Sequence, residues 1–369
     1  MQSRFVVIFE REITMKSTSI KAIGLMSGTS LDGLDIAYCE FIEKNNNWTF
    51  EILQAETIKY PITLSQSLAN AHLLDALTFW KLHVEFGRFC GIAVKKFISK
   101  HNCKARLIAS HGHTIFHQPQ NGFTCQIGDG SQIAAISGID TICDFRSKDL
   151  ALNGQGAPLV PLGDQFLFPE ADACLNIGGI ANISFHAKNK MKAFDICPAN
   201  MIFNYYAQLK GKKMDKNGEW ARRGKINEPL LKQLNNLPFY KQNAPRSLGR
   251  EWVFEKVIPL LDKKEKSFEN KLCTAVEHAA IKISEEINKH KLKQILISGG
   301  GAYHQFLIER IAHFTTGQLI IPNKKTIEFK EALVFAFLGV LRMREKTNCL
   351  KSVTGALFDN CGGAIYSGK

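Results

Sequence analysis

Runs of apolar residues divide the chain into two halves that repeat one order of elements. Each half opens with two strand-length apolar runs around a glycine-rich turn, and a third strand, a helix, a strand, a helix and a strand follow. The opening strands of the first half are predicted over 20–26 and 34–41, and the second half opens with a strand–turn–strand unit over 173–185. This order predicts an α/β protein with two domains of matching topology, each aiming a glycine turn at a shared cleft.

Hydrophobic spacing predicts the remaining elements between and after these hairpins. Further strands are predicted over 48–53, 106–110, 123–127, 141–146, 191–195, 294–298 and 318–321. Helices are predicted within 63–100 and over 132–137, 200–209, 250–261, 272–288, 304–314 and 331–345. Ser131 is the predicted cap of its helix, and 111–117 is predicted to be a loop. The strand at 318–321 is the last one that the pattern predicts.

The length of 369 residues is too great for one ordinary hydrophobic core and fits two domains. A stretch rich in Gly and Pro over 153–161 separates the halves. We therefore assign 1–18 to an N-terminal extension, 19–150 plus 346–369 to the first domain, and 151–345 to the second domain.

Composition and charge narrow the class of protein. The chain is 45% hydrophobic and 22% charged, which is typical of a soluble globular protein, and no apolar run has transmembrane length. The net charge of +13 comes mostly from scattered lysines without an aromatic–arginine platform, which favours a solvated surface over a nucleic-acid partner. Ten cysteines occur singly, without C-x-x-C spacing, as expected in a reducing cytoplasm. We expect a cytoplasmic protein that binds neither nucleic acid nor membrane.

The turn between the first two strands carries unusual chemistry. Gly28 and Gly33 let the backbone turn sharply and approach a ligand, and free N–H groups beside hydroxyl side chains can bind an anion. Asp32 and Asp35 would repel a phosphate unless a cation lay between them, which predicts a magnesium nucleotide. The alternative is a plain hairpin, which needs only a glycine-containing pair at its tip. The predicted nucleotide-binding residues of this turn are Gly28, Thr29, Ser30, Leu31, Asp32, Gly33, Leu34 and Asp35, with Asp32 as the Mg²⁺ ligand.

Three further segments complete the pattern: the turn over 176–182, the triple glycine over 299–301, and Asp195 at a strand end. There is no G-x-x-x-x-G-K-[ST] sequence and no G-x-G-x-x-G after a strand, so ATP would be held in another way. The histidines between 111 and 117 lack a carboxylate or cysteine at ligand spacing, which favours loop histidines over a metal site.

These segments in this order resemble the anhydro-N-acetylmuramic acid kinase family. The resemblance covers nearly the whole chain from about residue 20. It is carried by 24–35, 110–114, 126–128, 144–149, 154–161, 175–182, 194–195, 249–251, 299–301 and 352–356. It implies two ribonuclease-H-like domains of the actin/hexokinase/Hsp70-like class around an ATP cleft. It also implies a phosphotransferase that uses ATP and water to convert 1,6-anhydro-N-acetylmuramic acid into N-acetylmuramic acid 6-phosphate in peptidoglycan recycling.

The resemblance also assigns roles to residues. Asp195 matches the general base that deprotonates the water, and the alternative for it is a strand-end cap. Asn176, Gly178, Gly179 and Asn182 would face the first turn across the phosphates, and Gly299, Gly300 and Gly301 would let the backbone approach adenosine. His111, Arg146 and Gln155 are the predicted sugar contacts, with the Arg146 fork suited to the lactyl carboxylate. The resemblance implies an amino-sugar substrate and allows a homodimer.

Several positions depart from the family pattern on the sugar side. Cys197 and Ala199 stand where the family has glycines after the base, His113 replaces a glutamine, and Leu248 replaces a threonine; the usual His-Glu-Pro is His117-Gln-Pro119 here. Three alternatives therefore stay open. The chain could be a kinase of the same fold for another sugar or small acid, an ATP-driven clamp like actin or Hsp70, or a basic nucleic-acid binder, which the charge alone suggests.

Overall fold

The computed structural model describes residues 18–28, 31–45, 47–188, 190–244 and 246–369, which form two β-sheets flanked by helices. Its strands are β1 (Thr18–Ser27), β2 (Leu34–Lys44), β3 (Asn47–Ile58), β4 (Leu107–Gln118), β5 (Phe123–Ile127), β6 (Thr141–Cys143), β7 (Ala173–Ile177), β8 (Ile180–Ala187), β9 (Lys190–Pro198), β10 (Gln294–Ser298), β11 (Gln318–Ile320) and β12 (Ala364–Tyr366). The predicted N-terminal extension lies, except for Thr18, outside the described residues.

The helices include all those that the pattern predicts and several that it does not. They are α1 (Ile62–Ala69), α2 (Ala76–His101), α3 (Gly130–Ser137), α4 (Ser147–Ala151), α5 (Val160–Leu167), α6 (Asn200–Leu209), α7 (Glu219–Arg223), α8 (Glu228–Asn235), α9 (Arg250–Trp252), α10 (Ile258–Lys264), α11 (Phe268–Lys289), α12 (Gln305–Phe314), α13 (Lys324–Met343) and α14 (Lys351–Thr354). Short 3-10 turns cover Ala71–Leu73, Pro119–Asn121, Lys216–Gly218, Pro238–Lys241 and Gly300–Tyr303, and a π-helical turn covers Val253–Val257. The helix predicted over 250–261 is divided into α9, this π-helical turn and α10, and α4, α5, α7, α8 and α14 were not predicted. Within the described ranges, no helix combines the length and apolar character needed to cross a lipid bilayer.

The two sheets share one strand order. The first sheet runs β3-β2-β1-β4-β6, with β12 beyond β6 and β5 paired to β4, and the second runs β9-β8-β7-β10-β11. In each sheet the first three strands in sequence pair antiparallel. On the other side of the first strand, β4 and β6 join the first sheet in parallel, and β10 and β11 join the second in the same way, while β5 pairs antiparallel with β4. This order, 3-2-1-4-5 with an antiparallel second strand, confirms the predicted duplication of a ribonuclease-H-like α/β fold.

Both predicted glycine hairpins are present. In the first sheet Ser27 pairs with Leu34 at the end of the β1–β2 ladder, and in the second Ile177 pairs with Ala181 at the end of the β7–β8 ladder. A Cβ on Gly33 would lie 2.7 Å from the carbonyl oxygen of Ile58 on β3. The first turn therefore requires glycine there for close packing, independently of any ligand.

The predicted loop over 111–117 is wrong, because this segment is the second half of strand β4. Strand β4 continues to Gln118 and pairs antiparallel with β5, with a register shift between Thr114 and Phe116. The histidines and threonine there hide the apolar alternation on which the prediction depended. The cap prediction was also wrong: the side chain of Asp129, rather than Ser131, accepts a hydrogen bond at the start of α3, from the Ser131 N–H.

Strand β12 was missed, because it is only three exposed residues long and its position depends on pairing with β6 rather than on a local pattern. Its three residues extend the first sheet at the edge next to β6. The C-terminus of the chain is therefore part of the first sheet.

Helix α13 lies between the two sheets. It begins at Lys324, seven residues before the predicted start, and packs on β1, β2 and β4 while also contacting α5 and β10. A Cβ on Gly24 of β1 would lie 1.8 Å from the carbonyl oxygen of Ala332, so the strand and the helix meet backbone to backbone. The domain boundaries remain a prediction, and we propose that α13 be assigned with the first sheet, on which it packs.

One buried ion pair joins α13 to the second sheet. Lys330 Nζ lies 2.7 Å from Asp164 Oδ1 of α5, and the two side chains are 5% and 7% exposed. Asp164 also accepts a hydrogen bond from Ser184 Oγ of β8 (2.6 Å), and Lys330 Nζ reaches Ser298 Oγ of β10 at 3.5 Å. Burial opposes the charge on Lys330, but Asp164, with smaller contributions from Cys174 and Glu331, more than offsets it and raises the pKa of the ammonium group. Lys330 therefore stays charged, and these contacts join α13, α5, β8 and β10.

We predict that Lys330→Met lowers the free energy of unfolding by about 3–5 kcal/mol, because it leaves the Asp164 carboxylate buried without a cation. Urea denaturation at neutral pH measures this change. The double variant Lys330→Met/Asp164→Asn should recover most of the loss, because no unpaired charge remains.

Lys324→Met is the matched control on the same helix. It breaks a pair with Glu328 whose side chains are 77% and 38% exposed, and should cost less than about 0.5 kcal/mol. Equal small losses in the two single variants would show that the buried pair does not hold α13 in place.

Candidate active site

Four polar residues form one row across the second sheet. Ser298 of β10, Asn176 of β7, Asn182 of β8 and Asp195 of β9 are direct neighbours in the strand register. Side chains at paired positions of adjacent strands point to the same face of a sheet. The fold therefore brings the predicted residues Asn176, Asn182 and Asp195 together, with Ser298 added at the start of the triple-glycine turn.

Two of the predicted glycines are required by packing. Gly299 has a φ of 78°, and a Cβ there would lie 2.3 Å from Asn176 Oδ1. A Cβ on Gly301 would lie 2.1 Å from Ile177 Cγ2. At these two positions the triple-glycine turn packs directly against β7. Glycine is therefore required there by packing, whether or not the turn binds a ligand.

Three other predicted glycines have room for a side chain. The nearest atom to a Cβ on Gly178 lies at 3.5 Å, on Gly179 at 3.4 Å, and on Gly300 at 3.7 Å, the last being Asn200 Nδ2. These are ordinary van der Waals distances, so packing does not demand glycine at these positions. The absence of a side chain leaves the backbone of both turns accessible to a ligand.

A chain of hydrogen bonds supports the first turn. Ser27 Oγ accepts from Tyr60 OH (2.7 Å) and bonds His113 Nδ1 (2.8 Å), so the turn is linked to β4. The amide of Leu31 donates to the carbonyl of Gly28, and Leu31 has a φ of 58°. The predicted residues Thr29 and Ser30 lie outside the described residues.

Two carboxylates, those of Asp32 and Asp35, lie at the end of the first turn that leads into β2. Asp32 is exposed, whereas Asp35 is half-buried and accepts a hydrogen bond from Thr57 Oγ1 at 2.5 Å. Burial raises the pKa of Asp35; the Thr57 bond opposes this rise, and the charge of Asp32 adds to it. The described part of the chain holds no group of three or more His, Cys, Asp or Glu arranged for a metal. A cation here would thus need phosphate oxygens to complete its shell, as Mg²⁺ commonly does.

His111 and Arg146 are bonded to each other. His111 Nε2 accepts from Arg146 Nη2 (2.8 Å) and Nε (3.3 Å), while His111 Nδ1 donates to the Gly112 carbonyl (2.9 Å). Burial and the guanidinium charge lower the pKa of His111 to about 3, so the imidazole is neutral. Arg146 Nη1 donates to the Gly156 carbonyl (3.0 Å). The fork predicted to bind a substrate carboxylate is therefore engaged within the protein in this conformation.

The segment that carries Gln155 is anchored by the buried carboxylate of Asp149. Asp149 Oδ2 accepts from the Gly156 amide at 2.8 Å, and the Gln155 amide donates to the Thr354 carbonyl, also at 2.8 Å. The Gln155 side chain itself is exposed. Asp149 Oδ1 accepts from three donors of the C-terminal segment: Cys349 Sγ (3.0 Å), Thr354 Oγ1 (2.9 Å) and Asn360 Nδ2 (2.9 Å). Helix α14 in that segment packs against β9, the strand of Asp195.

Asp195 combines one anchored oxygen with one open oxygen. Its Oδ2 accepts from the Leu248 amide (2.8 Å) and from Ser247 Oγ (3.1 Å), while no donor among the described residues contacts Oδ1. Burial raises the pKa of Asp195, and the two hydrogen bonds oppose this rise. A cap would use its oxygens on a helix or strand end, whereas this carboxylate can still accept a proton at Oδ1.

Glu331 belongs to the same cleft and was missed by the sequence reasoning. It lies in the second turn of α13 and keeps contact with solvent. Desolvation by the surrounding protein raises its pKa, and the charge of Asp35 adds to the rise, while Lys330 and Arg146 oppose it. Glu331 is therefore near enough to Asp35 and Arg146 to feel both charges. The signal was a single acid before an otherwise apolar run, at a position taken for the helix start.

Comparison with known proteins gives one consistent family. The family model described as "Anhydro-N-acetylmuramic acid kinase" matches residues 20–368. A protein of that name from Sulfurimonas denitrificans is 35% identical over 373 residues, covering 93% of this chain and 98% of the relative, and one from Pasteurella multocida is 35% identical, covering 95% and 98%. A ligand-bound xylulose kinase from Lactobacillus acidophilus superposes with a TM-score of 0.43 at 10% identity, covering 87% of this chain and 89% of that one.

We predict that Asp149→Asn speeds amide exchange in 154–158 and 349–360 by about tenfold or more, because charge-assisted hydrogen bonds to Asp149 hold both segments. Hydrogen–deuterium exchange resolved by peptide measures this.

Asp144→Asn is the control. Among the described residues, only Ser147 donates to the Asp144 carboxylate. Asp144 has a φ of 56°, which asparagine tolerates, so amide exchange should change only near residue 144. If both segments stay equally protected from amide exchange in Asp149→Asn, Asp149 does not anchor them.

Proposed function

Because the chain belongs to the anhydro-N-acetylmuramic acid kinase family, we propose that it acts on 1,6-anhydro-N-acetylmuramic acid with ATP and water. Water adds at the anomeric carbon, the 1,6-anhydro bridge opens, and the released O6 takes the γ-phosphoryl group. The products are N-acetylmuramic acid 6-phosphate and ADP, and the reaction serves peptidoglycan recycling.

The observation that carries this proposal is the asymmetric setting of Asp195. The anchored Oδ2 fixes the direction of the carboxylate, and the open Oδ1 takes the proton of the water that attacks the anomeric carbon. A positioned base of this kind contributes about 10²–10⁴ in rate. Burial that raises the pKa of this carboxylate also strengthens it as a base.

ATP is proposed to lie between the 28–35 turn and the 176–182 turn, with the adenosine beside 299–301. The open backbone at Gly178, Gly179 and Gly300 supports this placement. Asp32, with Asp35 behind it, would hold Mg²⁺ together with phosphate oxygens, because paired carboxylates fit this ion. The bound ion would neutralise phosphate charge. The protein's own contribution is positioning by the two turns.

His111, Arg146 and Gln155 are proposed to form the sugar side. The exposed amide of Gln155 is free to contact sugar hydroxyls. His111 uses both ring nitrogens within the protein, so it supports Arg146 rather than binding sugar through them. A substrate carboxylate would contact the remaining N–H groups of Arg146 or displace its bond to His111.

The departures from the family pattern do not favour another substrate. Cys197 and Ala199 are both fully buried in the core of the second sheet, and Cys197 Sγ faces the Ala279 carbonyl at 3.8 Å. His113 is buried and bonded to Ser27. These three changed side chains therefore pack inside the protein, and so does that of Leu248, whereas Gln118 is only partly buried. The cytoplasmic location and the homodimer remain predictions from the sequence.

ADP release measured with and without 1,6-anhydro-N-acetylmuramic acid tests the proposed function. We expect turnover that depends on this sugar and yields the 6-phosphate by mass spectrometry. Turnover that the sugar leaves unchanged would point to an ATP-driven clamp, and turnover with a different sugar alone would show a different kinase of the same fold.

We predict that Asp195→Asn lowers kcat by about 10²-fold or more, because the amide cannot take a proton. The affinity for ATP, measured by calorimetry, should not change. In the unsubstituted protein the rate should fall as the pH drops through the raised pKa of Asp195, because protonation removes the base.

Asp172→Asn is the matched control, because Asp172 Oδ2 also accepts two backbone amides, those of Lys293 and Gln294, just before strand β7. It should keep near-normal turnover. Near-normal turnover in Asp195→Asn as well would place the base elsewhere.

We predict that Gly300→Ala weakens ATP binding by about tenfold without lowering the melting temperature, because its methyl group would enter the open space proposed for the nucleotide. Gly301→Ala should lower the melting temperature instead, because its methyl group would overlap Ile177. Isothermal calorimetry and thermal denaturation separate the two effects. Unchanged ATP affinity in a folded Gly300→Ala protein would contradict the placement of adenosine.

A further inference from the structure

Residues 246–248 cover the open edge of the second sheet at Asp195. Strand β9 is the last strand of its sheet, so one side of its backbone has no neighbouring strand. The Asp195 amide donates to the Arg246 carbonyl at 3.0 Å, and Arg246 Nε donates back to the Asp195 carbonyl at 3.2 Å. The same segment then supplies both donors to the Asp195 carboxylate. Main chain and side chain of Asp195 are thus held by one piece of chain.

The Arg246 side chain is buried and makes several contacts. Its Nη1 donates to the Gln242 carbonyl (3.0 Å), and its Nη2 donates to Glu286 Oε1 of α11 (2.8 Å). The Arg246 and Glu286 side chains are 6% and 10% exposed. The guanidinium also lies 5.5 Å from the Phe194 ring centre and 5.1 Å from that of Phe239. Residues 242–244 and Ser247 are exposed, whereas Leu248 is buried, so Arg246 and Leu248 fix the chain on either side of Ser247.

We propose that Arg246 is a positioning residue, which holds Ser247 Oγ and the Leu248 amide against Oδ2 of Asp195 and so presents Oδ1 to the attacking water. This inference rests on the proposed function, in which Asp195 is the base. Arg246 bonds to the backbone of Asp195 and positions its carboxylate through the two residues that follow it. Its charge also lowers the pKa of Asp195 directly, so Ser247→Ala is the variant that isolates the effect of the donors. Because Arg246 is bonded to Glu286 of α11, the orientation of Asp195 depends on how α11 packs in the second half.

The two donors have a chemical effect as well as a geometric one. Hydrogen bonds to a carboxylate favour its charged form and lower its pKa, against the burial that raises it. Loss of the donors would therefore raise the pKa of the base and release its orientation. The rate would fall, and the pH below which activity is lost would move upward.

Two variants test this in the complete protein with ATP and 1,6-anhydro-N-acetylmuramic acid. Arg246→Met removes the anchor, and Ser247→Ala removes one donor from an exposed side chain with little risk to folding. We expect Arg246→Met to lower kcat by about tenfold and to move the acidic limb of the kcat–pH profile upward by about half a unit or more. Ser247→Ala should give a smaller shift in the same direction, and Ser247→Thr should restore the profile. The KM for ATP should be unchanged.

Arg310→Met is the matched control. Arg310 of α12 pairs through two bonds of 2.6 Å with Glu277 of α11, the helix that also carries Glu286. It should lower stability without moving the acidic limb. A limb that stays in place in both Ser247→Ala and Arg246→Met would overturn the inference, and Ser247→Ala decides it alone if Arg246→Met does not fold. If the unsubstituted protein shows no turnover that depends on the sugar, or Asp195→Asn stays active, the proposed function fails instead.

Discussion

The ion pair between Lys330 and Asp164 is the interaction on which the relation between the two halves depends. An ammonium group with almost no solvent contact must keep its carboxylate, because the cost of an unpaired charge in such a place is several kcal/mol. The pair holds α13 against α5, while Ser184 and Ser298 bring in two strands of the second sheet. Because α13 also meets β1 at Gly24, its position links the turn after β1 to the turn after β10. The ion pair therefore helps to fix the separation of these two turns.

Three carboxylates show how the number of donors decides the role of an acid. Asp149 accepts four hydrogen bonds and has no capacity left, so it serves as an anchor. Asp164 is matched by one buried cation and holds the two sheets together. Asp195 accepts two bonds on one oxygen and none from the described residues on the other, which leaves a directed lone pair. Of the three, only Asp195 has an oxygen that the described residues leave available to a ligand, which is why we propose it as the base.

Local features of the fold were predictable from the sequence. A glycine turn between two apolar runs determines a hairpin through neighbouring residues, so both opening hairpins and helix α6, predicted over 200–209, agree with the structure. The strand order followed from repetition of one pattern. Features that depend on distant partners were not predictable. Strand β12 forms only on β6, and β4 continues only because β5 pairs with it.

The candidate site shows the same division. Asn176, Asn182 and Asp195 were recognisable as motif residues, and the strand register places them in one row. The bond between Arg146 and His111 and the position of Glu331 depend on how separate elements meet, which no local pattern encodes. Arg246 is one basic residue in an exposed segment, and only its contacts with Glu286 and Asp195 reveal its importance.

The anchoring of Asp149 by the C-terminal segment has a consequence for biosynthesis. Three of its four donors are in residues 349–360, and β12 closes the edge of the first sheet beyond them. A ribosome releases the chain from the N-terminus, so both glycine hairpins can form while the 154–156 segment still lacks its support. Residues 349–360 must leave the ribosomal tunnel before Asp149 has all its donors. A nascent chain stopped before residue 349 would therefore carry both glycine turns but would lack the C-terminal donors that hold Asp149.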